Sequence, residues 1–305
     1  MSNAAPRIGF IGLGLMGHGM AKSILAKGFP LTVRVHRNRK PAEDILAAGA
    51  REVKTNAEVA RASDIVILCV TGSPQVEEIV YGADGILGAA RDGLIVVDAS
   101  TAEPSSTAKI RADLAANGTN YVDAPLARTP KEAEEGRLNT MVGADDATFA
   151  RLKPVLSAYC ENIVHAGGPG SGHTLKLINN FMAMSIATTA AEACAACAKA
   201  GVPVAKLHEI ISAGGVNSGV FQAMVGKMLE SGDLSGLKFT LVNAMKDLRY
   251  YTHLAESLPT PAIVGGAVHQ SLVHANLLGF GDKYIASLIE AQEKLAGVSI
   301  VPPRR

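Results

Sequence analysis

The sequence predicts an α/β fold: a doubly wound, mainly parallel sheet over residues 5–168, then an all-helical domain over 169–300 that begins with a long helix at 171–200. Three observations predict it. Short apolar runs alternate with helical stretches through the first half. A glycine-rich run, Gly167-Gly168-Pro169-Gly170-Ser171-Gly172, ends that alternation. About thirty residues with almost no helix breaker follow, up to Gly201 and Pro203, and beyond them only helical periodicity is found.

Taken in order, Arg7-Ile8-Gly9-Phe10-Ile11-Gly12 is an apolar run that reads as a buried strand. Gly12-Leu13-Gly14-Leu15-Met16-Gly17 follows, and 18–27 reads as a helix closed by Gly28. A G-x-G-x-x-G run is weak alone; between a strand and a helix it is the mark of a dinucleotide-binding Rossmann domain. Gly12 permits the tight turn, Gly14 lets backbone approach a pyrophosphate and Gly17 lets helix pack on strand. The pyrophosphate would rest on the helix N-terminus, where unpaired N–H groups point outward.

Leu31-Thr32-Val33-Arg34-Val35 is the second strand. NAD enzymes of this plan end it with a carboxylate for the ribose 2′-OH. Here the chain reads His36-Arg37-Asn38-Arg39-Lys40, which suits a 2′-phosphate, because guanidinium forks match phosphate oxygens. NADP(H) is therefore favoured, with NAD(H) as the alternative, and the same residues also read as a solvated basic loop. Helices at 43–48 and 56–62 flank a short strand at Val53, and 64–70 is a clear buried strand ending at Val70. A loop from Thr71 leads to a helix at 75–80 that includes Val76. Strands at 94–98, 121–124 and 139–143 and a helix at 104–117 complete the alternation. Ligands of such sheets lie at the carboxyl ends of the strands, so the loops after Val70, Asp98 and Ala124 line one cleft.

In the long helix, Lys176 and Asn180 stand four residues apart and share a face, which continues through Ala183 and Ala187. A lysine in apolar surroundings needs water, a counter-charge or a substrate. It either snorkels to solvent near the helix start or serves a site. Helices at 204–213, 221–230, 240–256, 262–278 and 284–295 follow, and 301–305 reads as a loose tail.

Composition excludes several classes. The formal charge of +1 gives no footprint for nucleic acid or an anionic membrane. No stretch of about 18 residues reads as uninterruptedly apolar, and the Ala-rich part of the long helix, with Glu192 and Lys199, reads as a core helix. Four cysteines suggest no disulfide framework, and Cys194 and Cys197 sit within a helix without a second ligand pair, so no metal is expected. Met1-Ser2-Asn3-Ala4 reads as an added leader, and no secretion signal is seen. A cytoplasmic location follows as an expectation.

With these segments placed, nearly the whole chain, from about Ile8 to the region of Leu295, resembles the β-hydroxyacid dehydrogenase family. Four motifs carry the resemblance: the glycine run at 9–17, Asp123-Ala124-Pro125 with Gly136 and Met141-Val142-Gly143, Gly170-x-Gly172 with Lys176 and Asn180, and Lys246-Asp247-Leu248. It implies that Lys176 is the general acid/base and that Asn180 positions substrate, with Ser100, the 127–129 loop, Asn179, Ala183 and Asp247 around it. It further implies that Val70, Thr71, Val76, Thr101 and Lys246 lie along the cofactor, and that the helical domains pair as dimers or tetramers. A nicotinamide cofactor supplies a hydride, and an ammonium steadies the forming alkoxide and then protonates it. Burial would lower the pKa of such a lysine towards neutrality.

One departure stands out. Where the family has Ser-Gly-Gly in the substrate loop, this chain has Ala127-Arg128-Thr129. That pair is similar to the sulfolactaldehyde reductase branch and implies a cation for a sulfonate or carboxylate tail. Against that branch stand Ala183 in place of a serine and the basic run after Val35. Arg128 also reads as an exposed charge or a salt-bridge partner. The expected activity is interconversion of a short acid-tailed aldehyde and its hydroxy acid. The alternatives are an imine reductase, a group that commonly lacks this lysine, and an inactive NADP-binding scaffold.

Overall fold

Strand β1 (Ile8–Ile11) is buried at all four residues and sits mid-sheet, paired in parallel with β2 (Leu31–Arg34) on one side and β4 (Ile65–Leu68) on the other. The computed structural model describes residues 5–36 and 38–302. Among these, the sheet adds β3 (Arg51–Val53), β5 (Ile95–Asp98), β6 (Asn120–Asp123), β7 (Leu126–Ala127), β8 (Leu138–Gly143) and β9 (Cys160–Gly167). The order is β3-β2-β1-β4-β5-β6-β8-β7, with β9 on β8. Pairing is parallel from β3 to β6, antiparallel where β8 meets β6 and β7, and parallel again between β8 and β9.

The central strands are almost wholly apolar, Asp98 at the end of β5 excepted, because both faces are covered. Ile65 and Ile67 of β4 face one core with Met20 and Ile24 of α1 (Gly17–Ala26). Val66 and Leu68 face the other, with residues of α3 (Asn56–Ala62), α4 (Ser73–Tyr81) and α5 (Pro104–Ala115). This alternation follows from the two-residue period of a strand. Each such side chain, fully buried, contributes about 1.5–3 kcal/mol. Short α2 (Glu43–Ala47) and α6 (Pro130–Glu134) lie in the same unit.

Helix α7 (Asp146–Leu156) and strand β9 have no counterpart in the sequence reading. Helix α7 carries Pro154 inside it, which masks its pattern, although Asp145 caps it by accepting from the Thr148 N–H at 2.9 Å. Strand β9 is an edge strand, exposed or part-exposed beyond Cys160, so it lacks the apolar run of the central strands.

The chain divides into two compact units, one through Lys176 and one from Leu177. The division falls inside helix α8 (Ser171–Lys199), beyond the glycine run at which the sequence suggests a break. The second unit is helical: α9 (Val204–Ser212), α10 (Gly219–Phe221), α11 (Lys227–Ser231), α12 (Leu241–Ser257), α13 (Ile263–Ala275) and α14 (Leu288–Ala296) pack around Met184, Ala187, Ala191 and Cys194 of α8. The helix expected at 221–230 is interrupted by a wide turn at Gln222–Gly226. The one expected at 262–278 ends in another at Asn276–Phe280, where Gly279 takes φ +89°. By length and composition α8 reaches what a membrane span needs, with mean hydropathy 1.4 over an 18-residue window, a property that the core helix of a folded domain shares. Within the second unit its small residues pack into the helical core. The expected loose tail falls partly on residues 303–305, and the leader at 1–4, both outside the described residues.

Candidate active site

In the first unit, the carboxyl ends of β1, β2 and β4 open onto a cavity of about 1170 Å³. That exceeds the roughly 300–1,000 Å³ of a small-ligand pocket and leaves room for an extended dinucleotide. The glycine turn forms its floor, with Gly12, Leu13, Gly14 and Leu15 all lining it. Gly12 has φ +108°, and a Cβ there would stand 2.2 Å from the Cys69 carbonyl. A Cβ on Gly17 would stand 1.9 Å from the Gly12 carbonyl, so helix α1 meets the turn only because both residues are glycine. At Gly14 nothing lies within 4 Å, which leaves that surface open to a ligand. Met16 and Gly17 shape the start of α1 without lining the cavity. Glycine spacing and steric room thus both fit a pyrophosphate over this turn.

Val70 and Thr71 line the cavity. Val76 does not: it is fully buried in the core under α4. The helical spacing that put it near the loop turns it inward, so the sequence assignment is corrected there. Cys69 also lines the wall; burial, helped by the Asp98 charge, pushes its thiol up to about 12, which keeps it an uncharged apolar surface. Thr101 follows β5 and is part-buried, outside the cavity lining.

The basic loop after β2 divides differently from the expectation. His36, Asn38 and Lys40 line the cavity, and so does Arg34, which the sequence reading did not single out. Arg39 instead makes two hydrogen bonds to Glu52, each 2.9 Å, and does not line the cavity. A carboxylate thirteen residues away was ready to pair with it, which loop sequence alone does not reveal. Arg37 lies outside the described residues.

His18, in the first turn of α1, joins the same wall. Its Nδ1 lies 2.5 Å from Glu134 and its Nε2 3.0 Å from both oxygens of Asp44, so one imidazole ties α1 to α2 and α6. Partial burial pulls its pKa down, but the hydrogen bonds and charges of Glu134 and Asp44 outweigh this and leave it raised above 6.5. With the folded pKa above the unfolded one, the stabilisation is complete below the unfolded value and fades as pH climbs through the folded one. His18→Asn is therefore expected to lower Tm more at about pH 5.5 than at about pH 9. An equal loss at both values, measured by thermal melts, refutes the linkage.

In the 127–129 loop, Ala127 belongs to β7 and Arg128 takes φ +82°, a left-handed conformation in which L-residues are strained. The Arg128 guanidinium donates to Glu161 and to the Arg137 carbonyl, with Arg137 also near Glu161. Thr129 precedes α6, and both its N–H and its hydroxyl donate to Glu132. The structure therefore engages Arg128 in the salt-bridge pairing that was the alternative reading of it, and Thr129 in capping α6. The partners, Glu161 and Glu132, were not foreseen.

Helix α8 starts on the carboxyl end of the sheet. Asp123, at the end of β6 and buried, accepts from the Gly170 N–H at 2.7 Å and from the His173 N–H at 2.9 Å. This caps the helix with a carboxylate where its dipole is positive. A Cβ on Gly172 would stand 2.4 Å from the Met141 carbonyl, so a glycine is needed for this approach. Lys176 is half-buried on the second turn and is the last residue of the first unit. Ser100, buried after β5, accepts from the Val70 N–H at 3.0 Å.

In the second unit, Asn180 is buried and donates to Asp247 Oδ2 at 2.6 Å. Asp247, itself 2 % exposed, has Lys246 Nζ 2.8 Å from its other oxygen, and that ammonium stands 4.9 Å above the Tyr250 ring. Asn179 donates to the Asn180 amide oxygen at 3.2 Å, and Ala183 is half-buried on the same helix. The structure thus brings Asn180, Lys246 and Asp247 together. The pairing joins α8 to α12 across 67 residues of chain, a separation that leaves no local signal of a direct bond.

Residues 7–168 match the family model described as the NAD binding domain of 6-phosphogluconate dehydrogenase. Residues 170–291 match the one described as NAD-binding of NADP-dependent 3-hydroxyisobutyrate dehydrogenase. The chain is 33% identical to 2-(hydroxymethyl)glutarate dehydrogenase of Eubacterium barkeri, over 96% of its own length and 97% of that protein's. It is 30% identical to 3-sulfolactaldehyde reductase of Escherichia coli, with 96% and 97% covered. Among solved structures, 3-hydroxyisobutyrate dehydrogenase of Salmonella typhimurium superposes with a TM-score of 0.81 at 28% identity, covering 93% of this chain and 99% of that one.

Proposed function

The chain belongs to the β-hydroxyacid dehydrogenase family, and from that premise we propose that it is an NADP(H)-dependent reductase of a short aldehyde carrying an acidic tail, with Lys176 as general acid/base. The observation that carries the reading is the anchored start of α8, where Asp123 holds the first turn and Lys176 follows on the second. The nicotinamide ring, when bound, exchanges a hydride with the substrate carbon. Lys176 steadies the charge gathering on the carbonyl oxygen and gives it a proton; in the oxidative direction it takes that proton back. Asn180, its amide fixed by Asp247, orients the substrate through the second lone pair of its carbonyl oxygen, the first accepting from Asn179. The names of the relatives, a hydroxymethylglutarate dehydrogenase and a sulfolactaldehyde reductase, support a small substrate with an anionic end. The protein works in the cytoplasm as a homo-oligomer in this reading.

Preference for the phosphorylated cofactor is supported by the end of β2, where Arg34, Val35 and His36 stand in place of the expected carboxylate and Lys40 lines the same cavity. The test is an assay of sulfolactaldehyde, succinic semialdehyde, glyoxylate and methylmalonate semialdehyde with NADPH and with NADH. At least one acid-tailed aldehyde is expected to be reduced, faster with NADPH. Replacing Arg34 and Lys40 together with Gln is expected to shift the preference towards NADH by about tenfold or more, since a charge-assisted hydrogen bond is worth about 1.5–3 kcal/mol. An unmoved ratio rejects NADP(H) recognition at this wall, and no turnover across the panel rejects the substrate class.

A further inference from the structure

The first turn of α8 is held by a side chain as well as by its backbone cap. The His173 ring is fully buried in the first unit. Its Nδ1 lies 2.7 Å from Thr107 Oγ1 of α5, and its Nε2 faces Asp98 Oδ2 at 3.8 Å, without a hydrogen-bond partner among the described residues. Asp98 is equally buried at the end of β5, in register with Asp123 at the end of β6. Asp98 already accepts from the Ser100 N–H at 2.9 Å and from the Tyr121 hydroxyl at 2.7 Å. The carboxylate oxygens accept, so a proton on Nε2 is the arrangement that turns the ring's donor edge towards them, across a gap longer than a hydrogen bond. Nδ1 then takes the Thr107 hydroxyl hydrogen, whose other acceptor, the Glu103 carbonyl, is farther off at 3.1 Å.

One helical turn is therefore bonded to Asp123 through the His173 backbone and to Thr107 through its ring, with Asp98 on the adjacent strand facing the ring's other edge. Asp98 does not line the cavity but is tied to its wall, because it accepts from the Ser100 N–H and the Ser100 hydroxyl takes the N–H of Val70, a wall residue. Lys176 stands three residues beyond His173, one turn along the same helix.

We propose that His173 is a positioning residue, which with Asp98 and Thr107 fixes the rotation of the first turn of α8 and so sets where the Lys176 amine stands relative to the cofactor wall. The inference rests on the reading of Lys176 as acid/base. Its physical basis is that a near-attack geometry tolerates little error: a displacement of about 1 Å in a reacting group costs on the order of a hundredfold in rate. A turn held only by backbone bonds to Asp123 keeps freedom to rotate about them, and the ring removes it.

The experiment is a double-mutant cycle on the full chain with His173→Leu and Lys176→Ala, using the best aldehyde of the panel and NADPH. His173→Leu is expected to lower kcat about a hundredfold, with the NADPH dissociation constant within about twofold of wild type. In the Lys176→Ala background the same change is expected to cost little more, because there is no amine left to misplace. Thr107→Val, nearly the same shape, removes the bond to Nδ1 and is expected to act in the same direction with a smaller loss; it decides between the two roles if His173→Leu does not fold. Losses that multiply in the cycle, or a lowered Tm with kcat unchanged, overturn the proposal and leave His173 a packing residue. If Lys176→Ala loses turnover while neither His173→Leu nor Thr107→Val does, only this proposal falls. If Lys176→Ala turns over like wild type, the acid/base reading falls and takes the proposal with it.

Discussion

Lys176→Ala is expected to lower turnover by at least about a thousandfold, roughly 4 kcal/mol of transition-state stabilisation, while NADPH binds as in wild type. The size follows from two functions lost together. An aldehyde taking up hydride becomes an alkoxide, and a positioned cation lowers that charge in energy before any proton moves. The same group then delivers the proton. Each effect alone is worth about a hundredfold or more, and both need the amine in place. Cofactor affinity is expected to hold because the cavity is lined by the turn at Gly12–Leu15 and by residues at the ends of β2 and β4, and Lys176 is not among its lining residues. Lys176→Met, which keeps the length and apolar stem, is expected to behave as the alanine variant does. Turnover within about tenfold of wild type in both variants would mean that another group supplies the proton.

The parts of this protein that could be read from its sequence are those in which one segment carries its own signal. The central strands are legible because β1, β4 and β5 are buried on both faces and so contain little but Ile, Val, Leu and Phe. The glycine turn is legible because the whole motif lies between one strand and one helix, and Gly17 answers a steric demand made by Gly12 and Phe10, although the Cys69 carbonyl that Gly12 must clear comes from far along the chain. What stayed hidden depends on partners distant in sequence. Arg39 looks like a phosphate ligand until Glu52 is seen to face it across the β2–β3 edge. Arg128 looks like a substrate anchor until the fold brings up Glu161 from β9, a strand whose own pattern is too polar to detect. His173 gives no local signal, since Thr107 and Asp98 come from 66 and 75 residues earlier in the chain. Charged and hydrogen-bonding groups are defined by what they meet, and only the tertiary fold decides that.

Gly14→Val and Gly17→Ala are expected to fail in opposite ways, and the contrast tests the dinucleotide site more sharply than either change alone. At Gly14 an added side chain meets nothing within 4 Å, and the backbone is not in the left-handed region. The variant should fold with Tm little changed. If a pyrophosphate lies against that turn, two methyl groups now occupy its place, and overpacking of about 1–3 kcal/mol translates into up to about a hundredfold weaker NADPH binding. At Gly17 the new Cβ would meet the Gly12 carbonyl at 1.9 Å and the Phe10 ring at 3.0 Å. Helix α1 must then back away from β1, so this variant should lose stability before any ligand is added, by a similar 1–3 kcal/mol or so. Thermal melts and NADPH titration on the two proteins separate the effects. Should Gly14→Val bind NADPH as tightly as wild type, no ligand approaches that backbone, and the glycine there is only a turn residue. Should Gly17→Ala melt like wild type, helix and strand have slack that the packing denies, and the close approach of α1 to the turn would lose its role in shaping the site.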